Sequence, residues 1–476
     1  MVSGSYVSKD KNGNFDVAVI GAGSAGFSAA ITAAGAGARV ALIGYGMIGG
    51  TCVNVGCVPS KTMIRMAEAL YGVRAADRFA GISGEASIND WSQVIAAKDE
   101  LVETLRQKKY IDLLPEYEGI SYFEGAARIT NTGVELNGTE ISAGKIIVAT
   151  GSSPALPDIP GLATVSYLTS TTALELKELP RSIMILGGGY IGCELAQMFA
   201  RAGSKVTLIT RSRLLSEAEP EIADALTGFF EEEDITVRTN LAYHEIKKSG
   251  DGIVLHIEHD GHREVITADR VILTTGRTPN INGLGLQEAG IELLPNGGIL
   301  VDDHLRTTKG GVYAAGDVTG RDQFVYMAAY GAKLAALNAM NGDNLTYDNT
   351  AMPWVVFTDP QIAGVGLSEE KAKAAGFDTK ISILPLDQLP RALAARDTRG
   401  LIKLVADVKT DRLLGAQIMA PEGSDSIQTA VLAIKHGMTT KALGETIFPY
   451  LTTVEGLKLA AQSFGKDVTK LSCCAG

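Results

Sequence analysis

Two cysteines separated by four residues form the most reactive pair of side chains in the sequence. Cys52 and Cys57 lie in the segment GGTCVNVGCVPSK at residues 49–61. A loop of this length can close as a disulfide. Pro59 suits the first turn of a helix, which places Cys57 near a helix N-terminus, where a thiolate is favoured. We predict a redox-active pair rather than a structural disulfide or a zinc site, because the chain has only five cysteines and few ligands at zinc spacing.

Of the other cysteines and the histidines, only the C-terminal cysteine pair is predicted to have a chemical function. Cys473 and Cys474 are adjacent near the C-terminus, and exposed thiols without a function are a liability. A pair there therefore predicts a function, whereas Cys193 stands alone and is predicted to be a buried helix residue. Three histidines resemble a metal cluster, but they flank Asp260-Gly261, a hairpin-turn signal, so we predict a solvated hairpin (His256, His259 and His262).

Two glycine-rich turns predict two dinucleotide-binding units. Residues 21–26 read GAGSAG and residues 187–192 read GGGYIG, and each turn lies between a buried strand and a helix. The first glycine of such a turn permits the bend, the second admits a pyrophosphate and the third lets the helix pack on the strand. A tight strand-to-helix turn without a ligand is the alternative.

The residue that ends the second strand of each unit selects the sugar that is bound. That residue is Gly44 in the first unit and Thr210 in the second, and neither is acidic. Neither can accept a hydrogen bond from a ribose 2′-hydroxyl in the usual way. Arg211 and Arg213 follow Thr210, and two guanidinium groups suit a 2′-phosphate. We therefore predict NADPH rather than NADH at the second unit.

The length of 476 residues predicts about three domains. Proline-rich residues 152–161 and the segment after Gly276 are predicted to cross between domains. After Asp348 the sequence pattern changes, which indicates a further domain. We predict an α/β fold with two Rossmann-like domains and a C-terminal α+β domain. The predicted boundaries are a polar tail at 1–14, a first domain at 15–151 and 280–348, a second at 152–279 and a third at 349–476.

Composition excludes several classes of protein. Hydrophobic residues make up 46% and charged residues 20%, and the net charge is −11, which argues against binding nucleic acid or an anionic membrane. Residues 1–14 lack an apolar signal core, and the uncharged residues 17–38 are predicted to form a strand, a turn and a helix rather than a membrane span. Few cysteines favour the reducing cytoplasm. The acidic residues 217–234 are predicted to form a solvated helical face.

The motif at residues 49–61, both glycine turns and Gly316-Asp317 together resemble the flavoprotein disulfide reductases, which include glutathione reductase. The resemblance covers roughly residues 15–476 and implies a glutathione reductase-like fold, FAD, NADPH and a homodimer. It implies that FAD is bound by Gly21, Gly23, Ala25, Gly26, Gly50, Thr51, Lys61, Thr150, Gly151 and Asp317. It implies that NADPH is bound by Gly187, Gly189, Tyr190, Gly192, Arg211, Arg213 and Gly276.

The resemblance also implies individual roles. Asp317 would bind the ribityl chain of FAD, Lys61 would lie near flavin N5 and pair with Glu194, and Tyr190 would gate the nicotinamide pocket. Cys57 would face the flavin and Cys52 would exchange with the substrate. Gly44 departs from the family, which usually has an acid there; Tyr45 is a candidate to compensate.

A second departure points to the substrate. Members that reduce disulfides carry a histidine near the C-terminus, but here Tyr450 occupies that position while Glu455 is retained. A phenol with a pKa near 10 is a poor proton shuttle at neutral pH. The sequence FPYL at 448–451 and the terminal Cys-Cys resemble the branch of the family that reduces Hg(II), a soft ion that prefers thiolates.

That branch implies a two-electron reduction of thiol-bound Hg(II) to Hg(0). Cys473 and Cys474 of the partner subunit would collect the ion and pass it to Cys52 and Cys57, with Tyr450 and Tyr190 lining the pocket. Two alternatives stay open: a reductase of a small disulfide, and a metal-sequestering protein without catalysis. Related proteins often carry an N-terminal metal-binding domain, but residues 1–14 contain no cysteine.

Overall fold

The computed structural model describes residues 14–250 and 252–466. Cys473, Cys474 and nearly all of the predicted N-terminal tail lie outside the described residues. No helix in the described part of the chain is both long and apolar enough to span a membrane.

The described residues form twenty-two strands and thirteen α-helices. The strands are β1 Phe15–Ile20, β2 Val40–Gly44, β3 Ile120–Glu124, β4 Ala127–Ile129, β5 Gly133–Leu136, β6 Thr139–Val148, β7 Ser152–Pro154, β8 Tyr167–Thr169, β9 Ser182–Leu186, β10 Lys205–Ile209, β11 Thr236–Arg238, β12 Ala242–Ser249, β13 Gly252–His259, β14 His262–Ala268, β15 Arg270–Leu273, β16 Arg277–Pro279, β17 Val312–Ala314, β18 Pro353–Val356, β19 Gln361–Gly366, β20 Thr379–Pro385, β21 Leu401–Asp407 and β22 Leu413–Ala420. The α-helices are α1 Ser24–Gly35, α2 Gly50–Asn54, α3 Cys57–Arg74, α4 Trp91–Arg106, α5 Ser170–Ala173, α6 Tyr190–Ala202, α7 Pro220–Glu232, α8 Val325–Asn341, α9 Glu369–Ala374, α10 Pro390–Ala395, α11 Gly423–Lys435, α12 Thr440–Glu445 and α13 Glu455–Gln462.

The first of two compact units holds the described residues up to Ser60, with 92–155 and 276–348. Its central strands are parallel in the order β3-β2-β1-β6-β17, and β6 also pairs antiparallel with β5, which pairs with β4. Residues 17–20 of β1 are buried, as expected for a strand covered on both faces. Alanine-rich α1 packs on α8, since small side chains let two helices approach.

The two predicted crossovers pair with each other in this first unit. Strand β7 at Ser152–Pro154 runs antiparallel to β16 at Arg277–Pro279, and Thr278 faces Ser153. The proline-rich segments therefore form a short two-stranded ribbon rather than irregular loops. Pro154 and Pro279 lie at strand ends of this ribbon, where a missing N–H costs little.

The second unit holds residues 61–91, 156–275 and the described residues from 349 onward. Its parallel sheet has the order β11-β10-β9-β15-β8, and an antiparallel sheet β12-β13-β14 adjoins it in sequence. The C-terminal sheet is antiparallel in the order β18-β19-β22-β21-β20, and α11 and α13 pack on it. The predicted pairing of strands around residues 410–411 is confirmed by β21 and β22.

The predicted histidine hairpin is also confirmed. His259 faces His262 across the turn, and Asp260 and Gly261 both have positive φ, of 50° and 77°. Two consecutive residues of this conformation form the tight turn that joins twisted antiparallel strands. Within the described residues, no group of three or more histidine, cysteine or acidic side chains is arranged to bind a metal ion.

The prediction that the acidic residues 217–234 form a solvated face is wrong at two positions. Glu219 is 3% exposed and accepts a hydrogen bond from Lys403 Nζ at 3.0 Å. Glu233 lies 2.6 Å from Arg201 Nε. Both cations are distant in sequence, so local charge patterning could not reveal that these acids are paired inside the unit.

Lys403 itself is almost fully buried and is surrounded by carboxylates. Its side chain is 1% exposed, and Nζ lies 3.0 Å from Glu219, 2.9 Å from Glu221 and 3.1 Å from Glu369. Replacing Lys403 with Met should destabilise the fold by about 3–5 kcal/mol, because Glu219 would remain buried without its cation.

The measurement is the midpoint of thermal unfolding, with Lys371→Met as the matched control. Lys371 and Glu217 form an exposed pair, with side chains 58% and 68% exposed, and exposed pairs contribute about 0–1 kcal/mol. Equal midpoints for the two variants would show that the buried pair contributes no more than the exposed one.

Candidate functional site

Two positions of the first glycine turn, Gly21 and Gly26, have no room for a side chain. Gly21 has a φ of 119°, and a Cβ there would lie 2.2 Å from the carbonyl oxygen of Ala149. A Cβ on Gly26 would lie 1.7 Å from the carbonyl oxygen of Gly21, so a larger residue would push α1 away from β1. These two positions explain the spacing of the motif: one bends the chain and the other brings the helix against the strand.

The N-terminus of α1 is suited to a phosphate. Gly23 is its N-cap, no acidic residue lies in its first turn, and helix N–H groups attract an anion. The thiol segment lies directly on this turn. Gly49 N donates to Ala22 O at 2.8 Å, and a Cβ on Gly23 would be 3.3 Å from Gly50 Cα. The residues therefore fit a dinucleotide pyrophosphate, and they place the two cysteines beside it.

The two cysteines lie on successive short helical segments. Cys52 is in α2, and Cys57 is the first residue of α3, so the predicted placement of Cys57 at a helix N-terminus is confirmed. Asn54 fixes the segment, because its Nδ2 donates to Ile48 O and to Gly50 O, each at 2.9 Å. The partial positive charge of the α3 N-terminus stabilises a thiolate at Cys57.

A tyrosine missed by sequence reasoning lies close to both thiols. Burial raises the pKa of Tyr110, and negative charge on Cys52 and Cys57 raises it further, while a hydrogen bond with Ser24 at 3.3 Å lowers it. Tyr110 also packs edge-on against Phe27 of α1, with ring centroids 4.9 Å apart. Tyr110 belongs to no recognisable sequence motif, and it lies about fifty positions after the cysteines.

A polar cluster surrounds Asp317 in the same unit. Ser152 Oγ donates to Asp317 Oδ2 at 2.6 Å, and Arg277 Nε donates to Ser152 Oγ at 2.7 Å. Burial lowers the pKa of Arg277, while Asp317 and a charged Cys57 raise it, so the guanidinium contributes positive charge near the thiol. Sequence reasoning named Asp317 and Gly276 but missed Arg277, the residue that follows Gly276.

The remaining positions predicted to bind FAD lie in this unit, except Lys61. Thr150 Oγ1 donates to Asn280 O at 2.7 Å, which ties the end of β6 to the chain after β16. Gly151 has a φ of 71° and Gly276 a φ of 123°, and both mark the ribbon ends. Gly50 and Thr51 begin α2.

The second glycine turn repeats these constraints in the second unit. Gly187 has a φ of 117°, and a Cβ on Gly192 would lie 1.8 Å from Gly187 O. Gly189 is the N-cap of α6, and nothing lies within 4 Å of a Cβ built there, so a ligand can approach. This turn too fits a dinucleotide.

The two arginines after β10 differ in their surroundings. Arg213 Nη2 donates to Ser216 O at 2.9 Å and to Ala218 O at 2.7 Å, so it holds its own loop together. Arg211 is exposed. Of the two, Arg211 is the better placed to contact a ligand phosphate, and Arg213 shapes the loop that carries it.

Lys61 and Glu194 form an ion pair inside the second unit. Lys61 Nζ lies 2.7 Å from Glu194 Oε2 and 4.8 Å from the centre of the Phe357 ring. Glu194 Oε1 accepts a hydrogen bond from Phe357 N at 3.0 Å, and its side chain is 6% exposed. Both carboxylate oxygens are thereby satisfied, and the lysine is held in one position by charge and by an aromatic face.

Tyr190 is the first residue of α6 and stacks on Trp354, with ring centroids 5.6 Å apart. Burial raises the pKa of Tyr190, and the charge of Glu217 raises it further, so the phenol is protonated at neutral pH.

The C-terminal tyrosine and glutamate differ in their surroundings. Tyr450 is 48% exposed. Glu455 is buried and accepts a hydrogen bond from Leu451 N at 3.1 Å, in a turn where Leu451 has a φ of 61°. The carboxylate that supports a histidine in disulfide-reducing relatives here fixes the backbone of residues 450–455 instead.

Comparison with known proteins identifies the class. The chain belongs to the pyridine nucleotide-disulphide oxidoreductase family, whose model matches residues 15–336, and residues 352–461 match that family's dimerisation domain. The predicted family, fold class and cofactors, FAD and NADPH, are thereby confirmed, as is the C-terminal dimerisation domain.

Individual relatives are similar over nearly the whole chain. A mercuric reductase of Bacillus cereus is 46% identical over 474 residues, which cover 99% of this chain and 75% of that protein. A mercuric reductase of Streptomyces lividans is 46% identical over 468 residues, covering 97% of this chain and 98% of that protein. The solved structure of a Cu(II) complex of the flavoprotein disulfide reductase RclA from Escherichia coli is 32% identical. It covers 95% of this chain and 100% of that chain, with a TM-score of 0.85.

Cys193 differs from Cys52 and Cys57 in its surroundings. It is fully buried in α6, its Sγ lies 3.5 Å from Gly188 O, and burial raises its thiol pKa, which confirms the prediction of a buried helix residue. Iodoacetamide at pH 8 should label Cys52 and Cys57 in the reduced native protein and leave Cys193 unlabelled, because the thiolate is the nucleophile. Peptide mass spectrometry measures this, with urea-unfolded protein as the control; rapid native labelling of Cys193 would contradict it.

Proposed function

We propose that the chain is an FAD-dependent enzyme that uses NADPH to reduce thiol-bound Hg(II) to Hg(0) at Cys52 and Cys57. The observation that carries this proposal is the thiol pair placed against the first glycine turn, through Gly49 N and Ala22 O at 2.8 Å. Full-length similarity to mercuric reductases, at 42–46% identity, supports the metal as substrate.

Bound FAD would supply two-electron transfer from the nicotinamide to an acceptor held by the thiols. The residues of the chain bind and orient the reactants. The N-terminus of α3 and the guanidinium of Arg277 bring positive charge to Cys57, and Asp317, fixed by Ser152, would bind the ribityl chain. Lys61, held by Glu194, would lie at the flavin, and Tyr190 would gate the nicotinamide pocket.

The substrate chemistry agrees with the missing histidine. Reduction of a disulfide releases a thiolate that must be protonated, which requires an acid with a pKa near neutrality. Hg(II) needs only two electrons, and Hg(0) leaves because it has little affinity for thiolate. The histidine that supplies this acid in disulfide-reducing relatives is replaced here by Tyr450, an exposed phenol, and Glu455 is engaged with Leu451 N. This disfavours the reductase of a small disulfide.

We further propose that Cys473 and Cys474 of the partner subunit collect Hg(II) from small-thiol complexes and pass it to Cys52 and Cys57. Each transfer replaces one thiolate ligand by another, so each step is nearly isoenergetic. The family's dimerisation domain at residues 352–461 supports a homodimer in which one subunit serves the other. Tyr450 and Tyr190 would line the pocket that receives the ion.

Each predicted domain is assigned one part of the proposed reaction. We assign FAD to residues 15–151 and 280–348, NADPH to 152–279 and the subunit interface to 349–476. Arg211 would contact the 2′-phosphate of NADPH, with Arg213 supporting its loop. The cysteine content favours a cytoplasmic enzyme.

The decisive experiment measures NADPH oxidation by the purified protein with HgCl2 in excess small thiol, and then with glutathione disulfide or lipoamide. Turnover should depend on Hg(II), mercury vapour should evolve, and Cys57→Ser should abolish both. Turnover with disulfides alone would favour the small-disulfide reductase. Stoichiometric binding without turnover would favour a sequestering protein, and either result would refute the proposal.

Changing both Cys473 and Cys474 to Ala tests delivery by the C-terminal pair. Turnover should fall most with bulky Hg-thiol complexes, since those cannot reach the inner thiols directly. Cys193→Ala is the matched control, because that thiol is fully buried in α6 and cannot collect an ion from solution. Undiminished rates with bulky complexes would remove the terminal pair from the mechanism.

The nucleotide preference tests the role of the arginines. Replacing Arg211 with Glu and Arg213 with Gly should reverse the ratio of kcat/KM for NADPH over NADH, because a carboxylate repels a 2′-phosphate and accepts from a 2′-hydroxyl. Arg181→Glu is the control for net charge, since Arg181 is 93% exposed and precedes β9 at the opposite end of the strand. An unchanged ratio would refute the assignment.

A further inference from the structure

The end of β2 lacks the acid that dinucleotide-binding units usually carry there to bind a ribose. Gly44 takes that position, and it is buried. A Cβ on Gly44 would lie 2.4 Å from the hydroxyl oxygen of Tyr122 and 3.0 Å from Cβ of Ala22. The space in which a side chain of residue 44 would begin is therefore filled by a hydroxyl group from the neighbouring strand.

Tyr122 is the residue whose hydroxyl occupies the space at Gly44. Its side chain belongs to β3 and is 6% exposed. A tyrosine combines an apolar ring, which packs in the core, with a polar hydroxyl that can bind a ligand at the edge of the sheet. This hydroxyl lies beside Ala22 in the first glycine turn, where the α1 N-terminus is suited to a pyrophosphate.

A carboxylate follows Tyr122 on the same strand. Glu124 ends β3, faces Gly44 in the parallel register, and lies two residues after Tyr122, so both side chains project from the same face of the strand. Glu124 is exposed, and its charge, after burial, is the second cause that raises the pKa of Tyr122. Tyr45 is 83% exposed and does not fill the space at Gly44.

We propose that Tyr122 and Glu124 on β3 replace the missing acid at the end of β2 and bind the ribose hydroxyls of the adenosine half of FAD. The proposal rests on FAD binding in the proposed function. The Glu124 carboxylate accepts a hydrogen bond from a ribose hydroxyl, and the Tyr122 hydroxyl donates to the ribose or to its neighbouring oxygen. Parallel strands end at the same edge of the sheet, so a side chain on β3 can reach a ribose that is usually bound by a residue on β2.

The experiment compares two ligands. Apoprotein prepared from the holoenzyme is titrated with FAD and with an FAD analogue lacking the adenosine 2′-hydroxyl, and the Kd is measured from flavin fluorescence. The wild-type protein should prefer FAD by about tenfold, the ratio that corresponds to one hydrogen bond to a charged group. Glu124→Gln and Tyr122→Phe should each reduce this preference, and together they should remove it.

The two ligands separate binding from structure, because a variant that only loosens the fold weakens both equally. Tyr117→Phe, before the other end of β3, is the matched control and should keep the wild-type preference. An unchanged preference in both test variants, in a protein that binds FAD and reduces Hg(II), would overturn this proposal alone. A purified protein unable to bind FAD would overturn the proposed function as well.

A gain-of-function pair provides an independent check. Gly44→Glu alone should weaken FAD binding at least tenfold, because its Cβ would meet the Tyr122 hydroxyl at 2.4 Å. Adding Tyr122→Leu opens that space and should restore binding with the 2′-hydroxyl preference, now carried by residue 44. If the double variant binds no better than Gly44→Glu, Tyr122 is not the group that occupies the site.

Discussion

The contact between the thiol segment and the first glycine turn constrains the rest of the first unit. Gly49 N bonds to Ala22 O, and Gly50 packs against Gly23 so closely that neither position tolerates a side chain easily. A loop suited to bind a pyrophosphate through backbone N–H groups is thereby attached to a loop that carries two cysteines. Cofactor and thiols then share one rigid frame, and their separation does not depend on flexible side chains.

Charge at the thiols comes from elements that are far apart in sequence. The N-terminus of α3 and Arg277 both favour a thiolate at Cys57, and Arg277 is fixed by Ser152, which also donates to Asp317. The ribbon of β7 and β16 therefore has a chemical consequence besides connecting domains. It brings a cation to the thiol segment without placing a base there that would compete for a metal.

The sequence predicted what local spacing encodes: the glycine turns, the strands beside them, the hairpin at Asp260-Gly261 and the helix that begins at Cys57. It could not predict contacts between side chains that are far apart in sequence and are brought together only by the fold. Lys403 is paired with Glu219 from across the second unit, and the acid therefore looked solvated. Tyr122 filling the space at Gly44 is a similar case, since only the register of β2 and β3 brings the two residues together.

The retained Glu455 shows how a site can change its substrate while keeping a residue that fixes the backbone of a turn. In disulfide reductases an acid at this point supports a histidine; here it binds Leu451 N, in a turn that holds Leu451 at positive φ. Losing the acid would remove the hydrogen-bond acceptor of Leu451 N, whereas losing the histidine removes only a group that transfers protons. A substrate that requires electrons but no proton removes the need for the histidine and leaves the structural need for Glu455. The same turn presents Tyr450 as an exposed phenol, and a soft cation prefers thiolate to an oxygen ligand of this kind.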